Sequence, residues 1–379
     1  MKWELNKKKL TGEYIAGLVQ ADGSFSVRLA SKTRNTKRYL YLSLVFTIVQ
    51  NQKYKDLILE IQKEFGGIGH WYLNKKDKTI RYQVTSQSDF LNVIIPFFMK
   101  YQLRSGKLLS FLHFKYIVEV MSIRTHWTDK KILLSLIVIA SNMNPLGKLG
   151  NKIRHLTGEE QKYVINNVQP EGVDISKLTE SIQNFKQSKL TLDFIHGLFD
   201  GDGNISVFFI SKKSSGSVSS QAPEGTDALQ CELQNGGGET KLSVGFSFTI
   251  VQDRHNISLL NEIKSYFNDK GGVYNISKEC NIYKVGSKSD LMSVILPKMV
   301  NKESMELIKD YKMEELKLPL MKYNKIYYIC KILECCPKGF KWNKEIMNEI
   351  IRLSYFVSRE SDNKTLEEYV EELNRKWFL

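Results

Sequence analysis

The chain is poor in the residues that build disulfide frameworks or metal clusters. Its 379 residues include five cysteines, Cys231, Cys280, Cys330, Cys335 and Cys336, an odd number with no CxxC spacing and no paired histidine motif. This pattern excludes a disulfide scaffold and a cysteine-based zinc site. It predicts ordinary buried thiols in a reducing compartment.

Long apolar stretches are also missing. The longest strongly apolar run, Leu133 to Ala140, is far shorter than the ~20 residues that span a bilayer. The opening segment MKWELNKKKL has basic residues but no apolar stretch of the secretory type. We therefore expect no membrane partner and no secretory signal.

Acidic residues are outnumbered by basic ones. The 55 Lys and Arg against 41 Asp and Glu give a net charge of +14 and a pI of about 9.3. This balance favours a polyanionic partner, with nucleic acid as the leading candidate. Hydrophobic (42%) and charged (25%) fractions are typical of a globular protein, and the length favours two domains or one large one.

An internal repeat organises the chain. LTGEYIAGLVQADGSFSV, starting at Leu10, returns as LTLDFIHGLFDGDGNISV, starting at Leu190. FTIVQ at Phe46 returns at Phe248, and YQVTSQSDF at Tyr82 returns as YKVGSKSDL at Tyr283. Landmarks that recur in the same order indicate a duplicated structural unit.

Hydrophobic periodicity gives each repeat the same element order. Thr11 to Ala21 has helical spacing and is followed from Ser24 by a period of two, typical of a half-buried strand. The pattern predicts an α+β fold of two pseudo-symmetric αββαββα repeats. We assign the first to 1–125, a linker with helical segments to 126–187, and the second repeat with C-terminal helices to 188–379.

The second repeat carries 22 extra residues between its first two landmarks. They fall within Ser211 to Thr240, a stretch that is rich in serine and glycine and has no apolar period. Such composition is typical of a long, mobile surface loop or of a segment that a partner orders. We expect the loop.

Two nonapeptides carry a family resemblance. IAGLVQADG at Ile15 to Gly23 and IHGLFDGDG at Ile195 to Gly203 resemble the signature of the LAGLIDADG homing endonucleases, in the single-chain form with two motifs. The resemblance implies two β-sheets forming a DNA-binding saddle and a monomeric, site-specific endonuclease that cuts both strands of DNA. Two alternatives stay open, an intron-RNA maturase on the same scaffold and a non-catalytic nucleic-acid-binding protein.

Small residues recur on one face of each motif helix. Gly17 and Ala21, and likewise Gly197 and Gly201, are four residues apart, a spacing that lets two helices approach closely. Asp22 and Asp202 would then stand together at the helix C-termini. Carboxylates at the negative end of a helix repel each other unless a cation neutralises them, and hard oxygen ligands suit Mg²⁺. Two or three such ions would activate water and stabilise the leaving oxygen, with Mn²⁺ as a substitute.

The resemblance also implies roles for single residues. Asp22 and Asp202 match the metal-binding acids, and the carbonyls of Ala21 and Gly201 match a backbone ligand. The remaining matches are Gln50 and Gln252 for positioning water, Lys302 for polarising the phosphate, and either Arg104 or Lys107 as its first-repeat counterpart. One departure is Gln20, where the second motif has Asp200; it leaves the implied metal ligands intact.

Polar residues alternate with apolar ones along the predicted strands, giving a face suited to base edges and phosphates. A two-stranded ribbon fits the major groove, so two sheets would cover about two helical turns of duplex DNA. In the first repeat this face comprises Ser24, Ser26, Arg28, Lys32, Arg34, Lys37, Arg38, Tyr41, Ser43, Thr47, His70, Tyr72, Asn74, Arg81 and Gln83. In the second it comprises Asn204, Ser206, Ser243, Ser247, Thr249, Asn275, Ser277 and Lys284.

The implied partners are duplex DNA and, for a maturase, the host intron RNA; no obligate protein partner is expected. By resemblance, a mobile intron encodes the protein. The Lys-, Asn- and Ile-rich composition is compatible with AT-rich mitochondrial coding, with the chloroplast as the alternative location.

The basic first hairpin leads to a prediction about salt. Binding through phosphates should weaken steeply with salt, since log K falls by ~0.9 against log salt for each neutralised phosphate. Replacing Arg28, Lys32 and Arg34 with alanine should flatten that slope in a titration of duplex affinity against NaCl. An unchanged slope would place the first hairpin away from the DNA.

Overall fold

The chain folds into two compact units, Met1–Gly201 and Asp202–Leu379. The computed structural model describes residues 10–124, 129–143, 157–167, 178, 182, 185–213, 229–233, 240–299, 328–329, 332, 344–358 and 365–378. Each unit contains one antiparallel sheet. Among the residues described, no helix combines the length and the apolar character needed to cross a membrane.

The first repeat has the predicted order of elements. Its helices and strands are α1 (Gly12–Asp22), β1 (Gly23–Arg34), β2 (Lys37–Asn51), α2 (Lys55–Glu64), β3 (His70–Asn74), β4 (Thr79–Val84), and α3, which comprises Gln87–Asp89, the π-helical Phe90–Ile94 and Ile95–Lys100. The strands lie in the order β1-β2-β4-β3. The predicted change from helical to strand periodicity at the end of the motif is confirmed.

Aromatic rings fill the core beneath this sheet. Phe25 on β1 stacks on Phe46 of β2 at 4.8 Å between ring centroids, and Phe98, Phe111 and Phe114 pack around Phe25. All five are fully buried. Because residues alternate sides along a strand, these inward rings leave the intervening polar residues of β1 and β2 on the outer face.

Beyond α3, the described residues of the first unit form the helices α4 (Ser105–Ser122), α5 (Lys130–Asn142) and α6 (Gly158–Asn167). The apolar run Leu133 to Ala140 lies in α5, which packs against α4 and β1, and Leu136 to Ala140 are buried. This part of the predicted linker therefore adds to the core of the first unit. The limits assigned to the three domains stay a prediction.

The second repeat has the same order with one added strand. Its elements are α7 (Leu192–Asp202), β5 (Gly203–Lys213), β6 (Leu229–Leu233), β7 (Thr240–Asp253), α8 (Ile257–Tyr266), β8 (Gly272–Asn275), β9 (Cys280–Val285), and α9, which comprises Lys288–Asp290, Leu291–Ile295 and Leu296–Met299. Its sheet has the order β5-β7-β9-β8. The helices α10 (Lys344–Ser358) and α11 (Leu366–Phe378) follow, and α10 packs on β5, as expected for the C-terminal stretch.

The prediction of a mobile loop over Ser211 to Thr240 is wrong in part. β5 continues to Lys213, β7 begins at Thr240, and Leu229–Leu233 forms β6, which pairs with β7 from Leu229 opposite Val244 to Leu233 opposite Thr240. The remainder of the stretch lies outside the described residues. A short strand in a polar context was missed because backbone pairing with β7, not an apolar period, holds it in the sheet.

Equivalent tyrosines anchor the same turn in both units. The Tyr82 hydroxyl donates to the carbonyl of Ile68 (2.9 Å), and the Tyr283 hydroxyl donates to the carbonyl of Lys270 (2.8 Å). Burial raises the pKa of both phenols well above the usual value. The repeat seen in the sequence therefore extends to matching hydrogen bonds in the core.

The two motif helices touch backbone to backbone within the first unit. A Cβ built on Gly17 would overlap the Phe194 carbonyl oxygen, and one built on Gly197 would overlap the Tyr14 carbonyl oxygen. Close approach through small residues, predicted from their spacing, is confirmed. No larger side chain fits at either glycine without moving a helix.

Gly197 provides a test of this contact. Gly197→Ala should lower the free energy of unfolding by ~1 to 3 kcal/mol, because its methyl group overpacks a rigid backbone. Gly158→Ala is the matched control, since its Cβ would meet nothing within 4 Å, and it should leave stability unchanged or raise it by ~0.4 to 1 kcal/mol. Equal unfolding curves for both variants in urea would refute the close contact.

Candidate active site

Each catalytic aspartate predicted from the motif is the last residue of its helix. Asp22 ends α1 and Asp202 ends α7, and both side chains are half-buried. Gly23 closes α1 by donating its N–H to the Val19 carbonyl and already has extended backbone. The chain therefore passes from helix to strand immediately after the acid.

The strand register brings one glutamine to each aspartate. Gly23 lies opposite Ile48 in the β1–β2 ladder, so Gln50 at the far end of β2 reaches Asp22. Its Nε2 donates to Asp22 Oδ2 at 2.6 Å. In the second unit, Gly203 lies opposite Ile250, and Gln252 Nε2 donates to Asp202 Oδ2 at 2.5 Å. The same Asp–Gln pair thus occurs once in each unit.

The two basic candidates of the first repeat have different surroundings. Lys107 Nζ donates to the carbonyl of Gly23 at 2.5 Å, next in sequence to Asp22. Arg104 is 3% exposed, its guanidinium lies 5.7 Å from the centre of the Phe194 ring, and it reaches Ser188 Oγ at 3.5 Å. Lys107 is therefore placed at the acid, whereas Arg104 is part of the packing between helices. Lys302 lies outside the described residues.

The donors near Asp22 suit a hard divalent cation. They are carboxylate and carbonyl oxygens, and the last carbonyls of a helix have no partner within it. Within the described ranges, no group of three or more His, Cys, Asp or Glu side chains could hold a metal by itself. Mg²⁺ is usually held by one or two carboxylates together with water and substrate phosphate.

Most of the polar residues predicted on the first sheet share one face of it. Ser24 lies opposite Thr47, Thr47 opposite Gln83, and Gln83 opposite His70. On the same face, Arg28 lies opposite Ser43 and Arg81 opposite Tyr72, and Arg28, Arg81 and Tyr72 are exposed. Tyr41, Lys32 and Asn74 follow this alternation and are exposed as well. At the hairpin end Arg34 pairs with Lys37 in register with this face, whereas Arg38 pairs with Thr33, in register with the opposite face that carries Phe25, so the prediction for Arg38 is wrong. The side chains of Arg34, Lys37 and Arg38 lie outside the described part.

The second sheet carries a smaller set on the corresponding face. Asn204 lies opposite Thr249 and Thr249 opposite Lys284. Ser206 lies opposite Ser247, which is only 8% exposed, so its hydroxyl is a poor candidate for contact with DNA. Ser243 is opposite Ile210 in the register; its side chain lies outside the described part.

Two residues predicted for this face do not lie on it. Asn275 pairs with Asn281, which pairs with Gln252, so it occupies the face opposite to Lys284. Ser277 lies in the following turn, where its hydroxyl accepts from the N–H groups of Glu279 and Cys280. A shift of one residue moves a side chain to the other face, and the β8–β9 hairpin differs from its counterpart by that shift.

Tyr274 is the residue that sequence reasoning missed. It lies opposite Ile282, as Tyr72 lies opposite Arg81, and the two tyrosines are 50% and 52% exposed. The shared tyrosine was a signal that could have fixed the register from sequence. The corrected face of the second sheet therefore includes Tyr274 in place of Asn275.

Comparison with known proteins agrees with this geometry. The family described as LAGLIDADG endonuclease matches residues 15–118. The chain is 28% identical over 298 residues to the probable intron-encoded DNA endonuclease 1 of Mycosarcoma maydis, covering 79% of this chain and 95% of that protein. It is 34% identical over 119 residues to the probable intron-encoded endonuclease 2 of Neurospora crassa, covering 31% and 26%.

Solved structures extend the similarity to the whole fold. The LAGLIDADG homing endonuclease I-SmaMI bound to cleaved DNA superposes with a TM-score of 0.64 at 20% identity, covering 92% of this chain and 97% of that one. I-LtrWI bound to target DNA gives 0.65 at 23% identity, covering 91% and 96%. The chain therefore has the fold of the LAGLIDADG homing endonucleases.

The two LAGLIDADG helices are not equivalent at the motif's other acidic position. Asp200 of the second helix is buried and accepts a hydrogen bond from the Tyr14 hydroxyl at 2.7 Å. Gln20 of the first accepts from the Arg104 N–H at 2.9 Å, at the start of α4. Burial, and then the charge of Asp200, raises the pKa of Tyr14 well above its usual value. In the other motif helix, the residue equivalent to Tyr14 is Phe194, which has no hydroxyl to donate. The residue equivalent to Asp200 is the uncharged Gln20, so no such hydrogen bond is needed there.

Removing the Tyr14 hydroxyl tests how much its hydrogen bond to Asp200 contributes to the free energy of unfolding. Tyr14→Phe should lower the free energy of unfolding by ~1.5 to 3 kcal/mol, because the bond that is lost goes to a buried carboxylate. Tyr82→Phe is the matched control: its hydroxyl bonds a neutral carbonyl, so a loss of only ~0.5 to 1.5 kcal/mol is expected. Denaturant unfolding at pH 7 measures both, and a larger loss at Tyr82 would contradict the assignment.

Proposed function

We propose that the protein is a site-specific DNA endonuclease that hydrolyses one phosphodiester bond in each strand of a duplex. The observation that carries this function is the Asp–Gln pair at the end of a motif helix, which is present in both units. Two such pairs supply one acid for each strand. The relatives named as intron-encoded DNA endonucleases support the same activity.

Divalent metal would be held by Asp22 and Asp202 together with the carbonyls of Ala21 and Gly201. Bound there, Mg²⁺ supplies Lewis-acid activation of water and stabilises charge on the phosphate. The protein's own part is orientation. Gln50 and Gln252 donate to one oxygen of each carboxylate, which fixes the rotation of the acid.

Lys107 is the better candidate for the basic residue of the first half. Its ammonium group already lies 2.5 Å from the Gly23 carbonyl oxygen, beside Asp22, and a four-carbon stem can turn towards a phosphate. Arg104 is buried against Phe194 and would have to leave that contact. We therefore assign charge stabilisation at the phosphate to Lys107 and a structural role to Arg104.

The outer faces of the two sheets would bind the target duplex. Serine, threonine, glutamine and arginine side chains alternate there on neighbouring strands, and these groups hydrogen-bond base edges in the major groove. The sets on the two sheets differ in sequence, so the target need not be a palindrome. A duplex of about two helical turns is the expected length.

Intron coding and an organelle location are also proposed. The relatives from Mycosarcoma maydis and Neurospora crassa are named as probable intron-encoded endonucleases, which supports coding by a mobile intron. A mitochondrial location follows from this together with the Lys-, Asn- and Ile-rich composition, and a chloroplast is the alternative.

Cleavage and binding can be separated by removing single carboxylate charges. Asp22→Asn and Asp202→Asn keep the size of the side chain but remove a metal-ligating charge, so each should abolish or severely slow double-strand cleavage in Mg²⁺. Affinity for the same duplex in Ca²⁺ should be kept or increase, since a negative charge facing phosphate is lost. The target is found first by sequencing the ends cut from a randomised duplex library.

Asp77→Asn is the matched control. Asp77 is exposed in the β3–β4 turn, where it accepts from Asn74, and its substitution should leave cleavage at the parent rate. Full cleavage by both motif variants would rule out this mechanism. Tight binding of a structured intron RNA by a parent protein that never cuts DNA would favour the maturase instead.

A further inference from the structure

The two Asp–Gln pairs differ in what holds the glutamine. Gln252 Nε2 donates to Asp202 Oδ2 (2.5 Å) and to the Val251 carbonyl (3.0 Å). Gln252 Oε1 in turn accepts from Asn256 Nδ2 at 3.0 Å, in a buried contact. Both ends of this amide are therefore fixed.

The corresponding amide of the first unit is held at one end. Gln50 Nε2 donates to Asp22 Oδ2, and within the described residues no second partner of the amide is found. The residue at the position of Asn256 is Tyr54, which offers no amide donor. The difference between the two pairs thus comes from one side chain.

Asn256 and Tyr54 occupy equivalent backbone positions. Each ends a single 3₁₀ turn, Arg254–Asn256 or Gln52–Tyr54, and precedes α8 or α2. Their backbone angles are close, with φ −102° and ψ 17° at Asn256 and φ −97° and ψ 27° at Tyr54. The equivalence makes Tyr54 the natural reference for what Asn256 does.

Asn256 does not use its side chain to cap the helix that it precedes. Asparagine is among the most favourable residues at a helix N-terminus because its oxygen accepts from the first N–H groups. Here no such bond forms; the side chain is 7% exposed and turned to Gln252 instead. Its amide is thus used to orient another amide.

The chemistry of the groups admits one orientation of Gln252. A carboxylate only accepts, so the amide nitrogen must face Asp202, which leaves the oxygen for the donor of Asn256. A rotated amide would set oxygen against carboxylate and nitrogen against nitrogen. For Gln50 only the first of these two penalties applies, so its amide can turn more easily.

We propose that Asn256 is a positioning residue that presets Gln252, so that the DNA strand served by Asp202 and Gln252 is cut before the strand served by Asp22 and Gln50. This inference rests on the proposed endonuclease function. A preset hydrogen-bond donor costs no reorganisation when the reaction occurs, whereas Gln50 must be held in place during each turnover. The order of cutting is then encoded in the second half of the chain.

Strand-resolved cleavage is the test. A target duplex labelled with a different fluorophore on each strand is cut under single-turnover conditions in Mg²⁺, and both nicking rates are read from the same gel. The parent should cut the strands at unequal rates, and Gln252→Ala identifies the strand that depends on the second pair. Asn256→Leu should slow that strand about three- to tenfold, the loss expected for one hydrogen bond, and leave the other unchanged.

Three further variants test whether the effect comes from the orientation of the Gln252 amide or from a general loosening of the turn. Asn256→Asp replaces the donor with an acceptor, which favours the rotated amide, and should slow the same strand more than Asn256→Leu. Asn281→Ala removes a 3.4 Å bond to the Arg254 carbonyl in the same turn without removing the donor to Gln252, and should not change the ratio of the two rates. Tyr54→Asn should speed the slower strand.

An NMR readout does not depend on cleavage. In protein labelled with ¹⁵N at glutamine side chains, the Gln252 NH₂ protons should exchange with water more slowly than those of Gln50. Asn256→Leu should remove that difference at an unchanged melting temperature. The Gln252→Ala and Gln50→Ala variants assign the two signals.

The outcomes distinguish this inference from the proposed function. Equal slowing of both strands, or unchanged rates in the Asn256 variants, would overturn the positioning role while the endonuclease stands. Equal nicking rates in the parent would overturn the order of cutting. A parent that binds duplex DNA but cuts neither strand would overturn the proposed function, and this inference with it.

Discussion

The close approach of α1 and α7 is the contact on which the rest of the site depends. Gly17 faces the Phe194 carbonyl and Gly197 faces the Tyr14 carbonyl, with no side chain between them. Within the first unit, the glycines fix how closely the two helices approach, and each helix ends in an aspartate that passes directly into a strand. The register within each sheet then places a glutamine at each acid.

Because both repeats lie in one polypeptide, their sequences can differ at equivalent positions. A symmetric dimer would need the same residue on both sides of its interface, whereas here a buried Tyr14–Asp200 pair on one side corresponds to Phe194 and Gln20 on the other. The divergence reaches the candidate site, since Gln252 accepts from the Asn256 amide, and the described part of the chain shows no counterpart of that bond at Gln50. Divergence of this kind changes single hydrogen bonds and leaves the fold of each unit intact.

Most of the fold follows from periodicity and repetition. The helix ends at Asp22 and Asp202 and the polar face from Ser24 to Thr47 could be predicted because spacing alone determines them. The face of the sheet on which Asn275 lies could not be predicted. A shift of one residue in a hairpin leaves its composition unchanged but moves each side chain to the other face. The choice between Arg104 and Lys107 depends on burial against Phe194, a tertiary contact that local sequence does not contain. Asn256 looks like an ordinary helix start, and only its contact with Gln252 reveals the other use.

The first unit ends at Gly201, inside the second motif. The helix that packs on the glycine face of α1 is therefore encoded at the end of this unit, and the Tyr14–Asp200 hydrogen bond between the two helices joins residues 186 positions apart. Loop-closure entropy rises slowly with length, so the equilibrium cost of this distance is modest, but contacts far apart in sequence slow folding. During synthesis at ~5 to 20 residues per second, α1 leaves the ribosome many seconds before α7 exists. Until the ribosome has synthesised the start of the second repeat, the glycine face of α1 cannot pack against α7.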